Sequence, residues 1–209
     1  MGAYLRPSRL DEALTALAGR AAPPLVLAGG TDIFPARVGR AIDEDVLDLS
    51  AIADLRGIAA TPGGWRLGAT TTWSEVAEAD LPPLFDGLCR AAREIGGRQV
   101  QNAGTLAGNL CNASPAADGV PPLLALDAAV EIAGPSPRIL PLRAFLLGPR
   151  RTALVPGDLV VALHVPRPAR PAESAFLKLG ARRYLVISIA MASAVLAFDG
   201  DTVAEARVA

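Results

Sequence analysis

The chain is poor in the residues that most enzymes use for chemistry. It has two cysteines, Cys89 and Cys111, and one histidine, His164, in 209 residues. Two cysteines make neither a disulfide scaffold nor a four-thiolate metal or iron–sulfur site. One histidine excludes a multi-histidine zinc site, and a Ser–His–Asp triad would rest on His164 alone. An excess of charge is missing too. The net charge is -1, so no basic face invites nucleic acid or an acidic membrane. The longest apolar run, Leu185 to Phe198, is interrupted by Ser188 and Ser193 and falls short of the ~20 residues of a transmembrane helix. The start, MGAYLRPSRL, lacks the apolar segment of a signal peptide. These absences lead us to expect a soluble, cytoplasmic protein. Lysine is nearly absent as well: of 20 basic residues only Lys178 is a lysine, which singles it out.

Apolar residues make up 51% of the chain, and at this length roughly 70% of the unfolded surface can be buried. One domain or two small ones would fit. Ser8 with Asp11 three residues on reads as a capping box before a short helix with Leu10, Leu14 and Leu17 on one face. Leu25 to Ala28 reads as a strand running into Gly29-Gly30, IFPARV as a helical turn, and VLDLS as a second strand. Trp65 to Ala69 predicts another strand, Thr72 with Glu75 a second capping box, and Leu84 to Glu94 a helix. Pro121 to Leu126 reads as a short helix, and Asp127 to Ile132 and Asp158 to Val165 as strands. PRPARPAE is a linker candidate, and Ile187 to Phe198 reads as strand or helix. Short strands alternating with short helices argue for an α+β or α/β fold. No P-loop and no strand-linked G-x-G-x-x-G occurs.

Two segments share a chemistry: Ala28-Gly29-Gly30-Thr31-Asp32 and Gly104-Thr105-Leu106-Ala107-Gly108-Asn109. Each combines small residues with one hydroxyl and contains no lysine or arginine. Backbone this bare lets successive N–H groups converge on an anion, and two such loops suit a diphosphate. The same composition also serves ordinary turns and close packing of elements, and both readings stand at this point. Asp118 could accept hydrogen bonds from sugar or ribityl hydroxyls, or cap the helix at Pro121.

LAGGTDIFPARV, GATTTWSEV and IGGRQVQNAGTLAGNLCNASPAADGVPPLLALDAAVEI occur in that order. In these motifs the chain resembles the FAD-binding medium subunits of the molybdenum hydroxylases, the flavoprotein parts of xanthine dehydrogenase and carbon monoxide dehydrogenase among them. The resemblance runs from about Tyr4 to the last residue. It implies a two-subdomain α+β fold of the vanillyl-alcohol-oxidase/PCMH type: an N-terminal FAD-binding subdomain (1–55), a second one (56–168), and the start of an incomplete C-terminal domain (172–209). It implies that Leu27, Ala28, Gly29, Gly30, Thr31, Asp32 and Ile33, with Gly104, Thr105, Gly108 and Asn109, hold the FAD diphosphate. It places Ile95 near flavin or adenine, Ser114 and Asp118 by the ribityl and sugar region, Val160 or Val161 on the flavin, and Lys178 beside FAD. No histidine stands in either loop, so FAD is expected to be non-covalent.

The resemblance further implies a division of labour. A large molybdopterin subunit oxidises the organic substrate, and a small subunit with [2Fe–2S] clusters passes electrons to this FAD. NAD, a quinone or oxygen then accepts them, and no catalytic acid or base is expected here. Two other functions are compatible with the residues: a stand-alone flavin oxidase or reductase, and a truncated subunit that binds partners but no flavin. Three departures from the pattern stand out. The chain stops at EARVA where relatives continue, which leads us to expect an exposed sheet edge. RRYLVISIA lacks the acidic residues of some relatives. No cysteine cluster provides for an extra iron–sulfur centre.

Overall fold

A computed structural model of the chain describes residues 2–18 and 22–209. The N-terminal part contains β1 (Tyr4–Leu5), α1 (Leu10–Leu17), β2 (Leu25–Leu27) and β3 (Val46–Asp48). Its three strands pair in parallel in the order β1-β3-β2. Leu17, Leu47, Leu49, Ile52 and Leu55 form a small core over this sheet. The capping box expected at Ser8 is absent. The N-cap is Arg9, which makes no side-chain cap; instead the Glu12 carboxylate accepts the Ser8 N–H at 3.1 Å. A carboxylate one turn into the helix reaches that donor, and Asp11 is held instead by the Arg9 guanidinium.

The central part contains β4 (Ile58–Thr61), β5 (Gly64–Gly68), α2 (Trp73–Glu78), α3 (Asp86–Glu94), α4 (Arg98–Ala103), α5 (Leu106–Asn112), α6 (Val120–Ala125), β6 (Ala129–Ala133), β7 (Arg138–Pro141), α7 (Leu142–Phe145), β8 (Leu146–Gly148), β9 (Arg151–Thr152) and β10 (Leu159–Pro166). Five strands form an antiparallel sheet in the order β4-β5-β10-β6-β7. The helices bury Trp73, Phe85, Leu88, Leu106 and Leu110 against Leu67, Val130, Ile132 and Leu163 of that sheet. Full burial of one such side chain contributes about 1.5–3 kcal/mol.

β10 joins the two cores. Its register with β6 slips between Val160 and Ala162, a bulge that leaves Val161 unpaired. Val160 and Leu163 pack in the larger core, and Leu159 and Val161 in the smaller one. The Val161 carbonyl accepts the Ala69 N–H at 3.1 Å. Neighbouring Val160 and Val161 face opposite sides as in any strand, and the bulge shifts the alternation so that Leu163 shares the larger core with Val160.

The C-terminal part is an antiparallel sheet of β11 (Ala172–Gly180), β12 (Ser188–Asp199) and β13 (Thr202–Val208). The segment left open as strand or helix is therefore strand β12. Phe176 and Val195 are buried, and Val195 joins the larger core. The Gly87 N–H at the start of α3 donates to Ser174 Oγ on β11 at 2.8 Å, which docks this sheet onto the helical layer. No helix among the described residues is long and apolar enough to cross a membrane.

Candidate functional site

A cleft of about 350 Å³ lies where three segments meet: 26–33 with Leu49, 95–112 with Ala69, Thr70 and Trp73, and 154–160. The first segment leaves β2 and turns at once. Gly30 takes φ 68°, a left-handed conformation that favours glycine, and its carbonyl accepts the Phe34 N–H at 3.0 Å. The N–H groups of Gly29, Gly30, Thr31, Asp32 and Ile33 donate to no acceptor among the described residues, and all five residues line the cleft. Five successive donors without an internal acceptor are free to meet the oxygens of a ligand.

The second segment differs from its sequence expectation. It is not a loop of converging N–H groups but helix α5, with Thr105 as N-cap. Leu106, four residues before Leu110, puts two fully buried side chains on one face. The N–H groups at its start are already satisfied: Leu106 donates to Thr71 O, Ala107 to Ala69 O, Asn109 to Thr105 O and Gly108 to Thr105 Oγ1. This side of the cleft offers side chains instead. The buried side-chain oxygen of Asn109 has no hydrogen-bond partner.

The two bare segments also pack on each other. A side chain on Gly29 would run into the Ala103 carbonyl, and one on Gly104 would crowd Trp73 and Thr31. Both readings of the small residues therefore hold: close packing at Gly29 and Gly104, and open donors from Gly29 to Ile33. The TTT of GATTTW stitches the same region together. Trp73 N–H donates to Gly104 O at 3.1 Å, and Thr71 O accepts Leu106 N–H at 3.0 Å.

Twelve of the expected residues line the cleft: Ala28, Gly29, Gly30, Thr31, Asp32, Ile33, Ile95, Gly104, Thr105, Gly108, Asn109 and Val160. Leu27, Ser114, Asp118, Val161 and Lys178 do not. Leu27 is paired in β2 opposite Asp48. Ser114 follows Ala113, which ends α5 in a left-handed conformation, and its Oγ accepts the Ala116 N–H at 3.3 Å. Val161 points to the opposite side from Val160 and packs in the smaller core. Asp118 does not cap α6, whose N-cap is Gly119 without a side-chain bond. It pairs instead with Lys178, Nζ to Oδ2 at 2.6 Å, with side chains only 5% and 9% exposed. Lys178 also donates to Glu94 O at 3.2 Å, and Ser188 Oγ donates to Asp118 Oδ1. The sole lysine is thus a buried tie between the C-terminal sheet and the helical layer.

Sequence reasoning passed over Leu49, Thr70, Trp73, Cys111, Leu154 and Leu159, which also line the cleft. Thr70 and Trp73 stood within GATTTWSEV, and Leu159 stood beside Val160, so a signal existed for these three. Cys111 is exposed and lines the cleft. Desolvation by the surrounding protein pushes its thiol up to about 12, so the group is neutral near pH 7.

Apolar side chains from Ile95, Val100, Leu154, Leu159 and Val160 make one part of the wall, and free N–H groups with Asn109, Thr31 and Thr105 make the other. No lysine, arginine or histidine is among the lining residues. An apolar planar ring and a diphosphate match these two parts. The diphosphate would be held by backbone dipoles, and FAD fits this donor set. Fold and site together define an α+β protein whose cleft suits a flavin dinucleotide. Comparison with known proteins gives the family. Residues 1–168 match the FAD binding domain in molybdopterin dehydrogenase. The chain is 34% identical over 212 residues to the putative xanthine dehydrogenase FAD-binding subunit of Escherichia coli K12, covering 99% of this chain and 72% of that protein. It is 30% identical over 213 residues to the carbon monoxide dehydrogenase medium chain of Hydrogenophaga pseudoflava, covering 99% and 72%. Among solved structures, carbon monoxide dehydrogenase from that organism superposes with a TM-score of 0.88 at 28% identity, over 99% of this chain and 73% of that one. Quinoline 2-oxidoreductase from Pseudomonas putida 86 gives 0.86 at 25% identity, over 100% and 73%. The chain belongs to the FAD-binding medium subunits of the molybdenum hydroxylases, and its fold is of the PCMH type.

Proposed function

We propose that this chain carries non-covalent FAD in the cleft and passes electrons from a [2Fe–2S] partner subunit to an acceptor such as NAD or a quinone. A large molybdopterin subunit, in this reading, oxidises the organic substrate elsewhere in a cytoplasmic complex. The observation that carries it is the run of five free N–H groups from Gly29 to Ile33 on the cleft. The flavin supplies the redox chemistry when bound. The chain's residues bind and orient it. The glycine loop directs its donors at the diphosphate, and the apolar wall excludes water from the ring. Residues 1–55 and 56–168 act as the two FAD-binding units, with 172–209 as a third unit docked on α3.

Asp118 and Lys178, expected at the cofactor, serve in this reading as supports. Their pair grips the Glu94 carbonyl, next to the cleft residue Ile95. The test is the visible spectrum of the purified chain after incubation with excess FAD and gel filtration. Flavin absorbance that co-elutes with the protein is expected. Protein that elutes without it overturns the reading.

A further inference from the structure

Arg138 and Asp158 form the only ion pair among the described residues whose carboxylate side chain is fully buried, with Arg138 26% exposed. The contact is bidentate: Nη1 to Oδ1 at 3.2 Å and Nη2 to Oδ2 at 2.7 Å. The guanidinium also donates to the carbonyls of Ser136 and Ala153, each at 3.0 Å. Asp158 Oδ2 accepts the Val155 N–H at 2.9 Å, and the Asp158 N–H returns to Val155 O at 3.0 Å. The β6–β7 turn closes over the same point: a side chain on Gly134 would meet Gly157 O and Asp158. One guanidinium therefore fastens three stretches of chain around a tight turn. That turn carries Leu154, Asp158, Leu159 and Val160, all of which line the cleft.

We propose that the Arg138–Asp158 pair is a positioning element of the cofactor site, fixing the apolar wall at Leu154, Leu159 and Val160 and keeping the carboxylate behind it charge-balanced. This rests on the reading that FAD fills the cleft. A buried carboxylate without its guanidinium is poorly solvated and is driven toward its protonated form. In its ionised form it would repel an anionic diphosphate ligand in a low-dielectric cleft. Arg138 is the only charged partner of Asp158 among the described residues. The other ionisable groups lining the cleft are Asp32 on the glycine loop and the neutral Cys111 thiol.

The test is FAD affinity of the full chain, read by quenching of flavin fluorescence across about pH 5.5 to 8, the window in which a buried unpaired carboxyl titrates. The chain itself is expected to bind with a flat profile. Arg138→Met is expected to bind more weakly, and to lose a further factor of about ten between the two ends of that range, the effect of some 1.4 kcal/mol. Adding Asp158→Asn removes the slope. A flat profile in Arg138→Met, or a slope that survives Asp158→Asn, overturns the inference, since a strut alone would weaken binding equally at every pH. Should Arg138→Met not fold, Arg138→Gln decides. It keeps hydrogen-bond donors and gives up the charge, so a loss of affinity that grows with pH supports the inference. A flat profile overturns it. Absence of FAD binding by the parent chain instead overturns the assignment of the cleft.

Discussion

The polar residues spaced through NAGTLAGNLCNASPAAD divide by what they touch. Asn102 accepts from Ser74 Oγ at 2.5 Å, Asn112 accepts from Arg150, and Asp118 pairs with Lys178. Only Asn109 keeps a buried oxygen without a partner. A buried acceptor left unmade destabilises by about 1–3 kcal/mol, and an apolar replacement of similar shape relieves that. Asn109→Leu should therefore leave the urea midpoint unchanged or slightly raised. A midpoint clearly lowered by the change would show that the amide makes a stabilising bond. Carboxylates give a second prediction. Burial alone would raise Asp158, Asp48 and Glu75, but each is held below the usual carboxylate range. The Arg138 guanidinium and Val155 N–H outweigh burial at Asp158, the Tyr4 hydroxyl with Ser50 at Asp48, and Arg56 with Thr72 at Glu75. A folded-state pKa below the unfolded one adds stability that is fully present above the unfolded value, about 4, and is lost as pH falls through the folded value. Urea midpoints should thus be flat through these groups' range above about pH 5 and fall below about pH 4. The fall should be shallower in Asp158→Asn.

At the scale of elements, the Thr72–Glu75 box is the feature that the chain's local chemistry specifies most completely. Thr72 Oγ1 accepts the Glu75 N–H at 3.3 Å, and Glu75 Oε2 accepts the Thr72 N–H at 2.8 Å. Thr72→Ala should lower unfolding free energy by about 1 kcal/mol, read from urea denaturation. Because α2 carries Trp73 into the cleft wall, FAD affinity should fall with it. The box was legible in the sequence because capping is a contact between neighbours. So were β2, β3, β5 and α3, whose apolar spacing and breakers lie within a few residues. Helix α5 was not. Glycine, alanine and asparagine dominate its sequence, and its helicity rests on Thr105 and on Leu106 and Leu110 finding a tertiary core. The β10 bulge was equally hidden, because it depends on register with β6. The same limit applied to Lys178. Its singularity was visible, but the carboxylate it meets is 60 residues away in sequence. The cleft's glycine loop stood out by composition and was assigned through the resemblance, whereas Leu49, Leu154 and Cys111 reach the wall only through the fold.

For the whole molecule, the cleft is assembled from stretches far apart in the chain, 26–33, 95–112 and 154–160, and β10 links the smaller core to the larger one. A ligand touching all three stretches binds the folded chain and has no comparable site in the unfolded one. By mass action, FAD at about 100 times its dissociation constant adds ~2.7 kcal/mol to unfolding free energy. For a chain of this length that corresponds to a rise in Tm of roughly 5–10 °C. Heating has a competing outcome here. β11 and β12 leave Leu177, Leu179 and Ile189 at 64%, 61% and 69% exposure, an apolar surface that favours association of unfolding chains. The measurement is therefore best made in urea at low protein concentration, with and without FAD. A midpoint that rises with FAD, with the slope unchanged, means that the cofactor closes the three segments into one cooperative unit. A midpoint indifferent to FAD means that the cleft does not hold it. AMP and FMN, the two halves of FAD, separate the parts of the site. Each should raise the midpoint by less than FAD does, because only the whole cofactor reaches from the glycine loop to the wall at Val160.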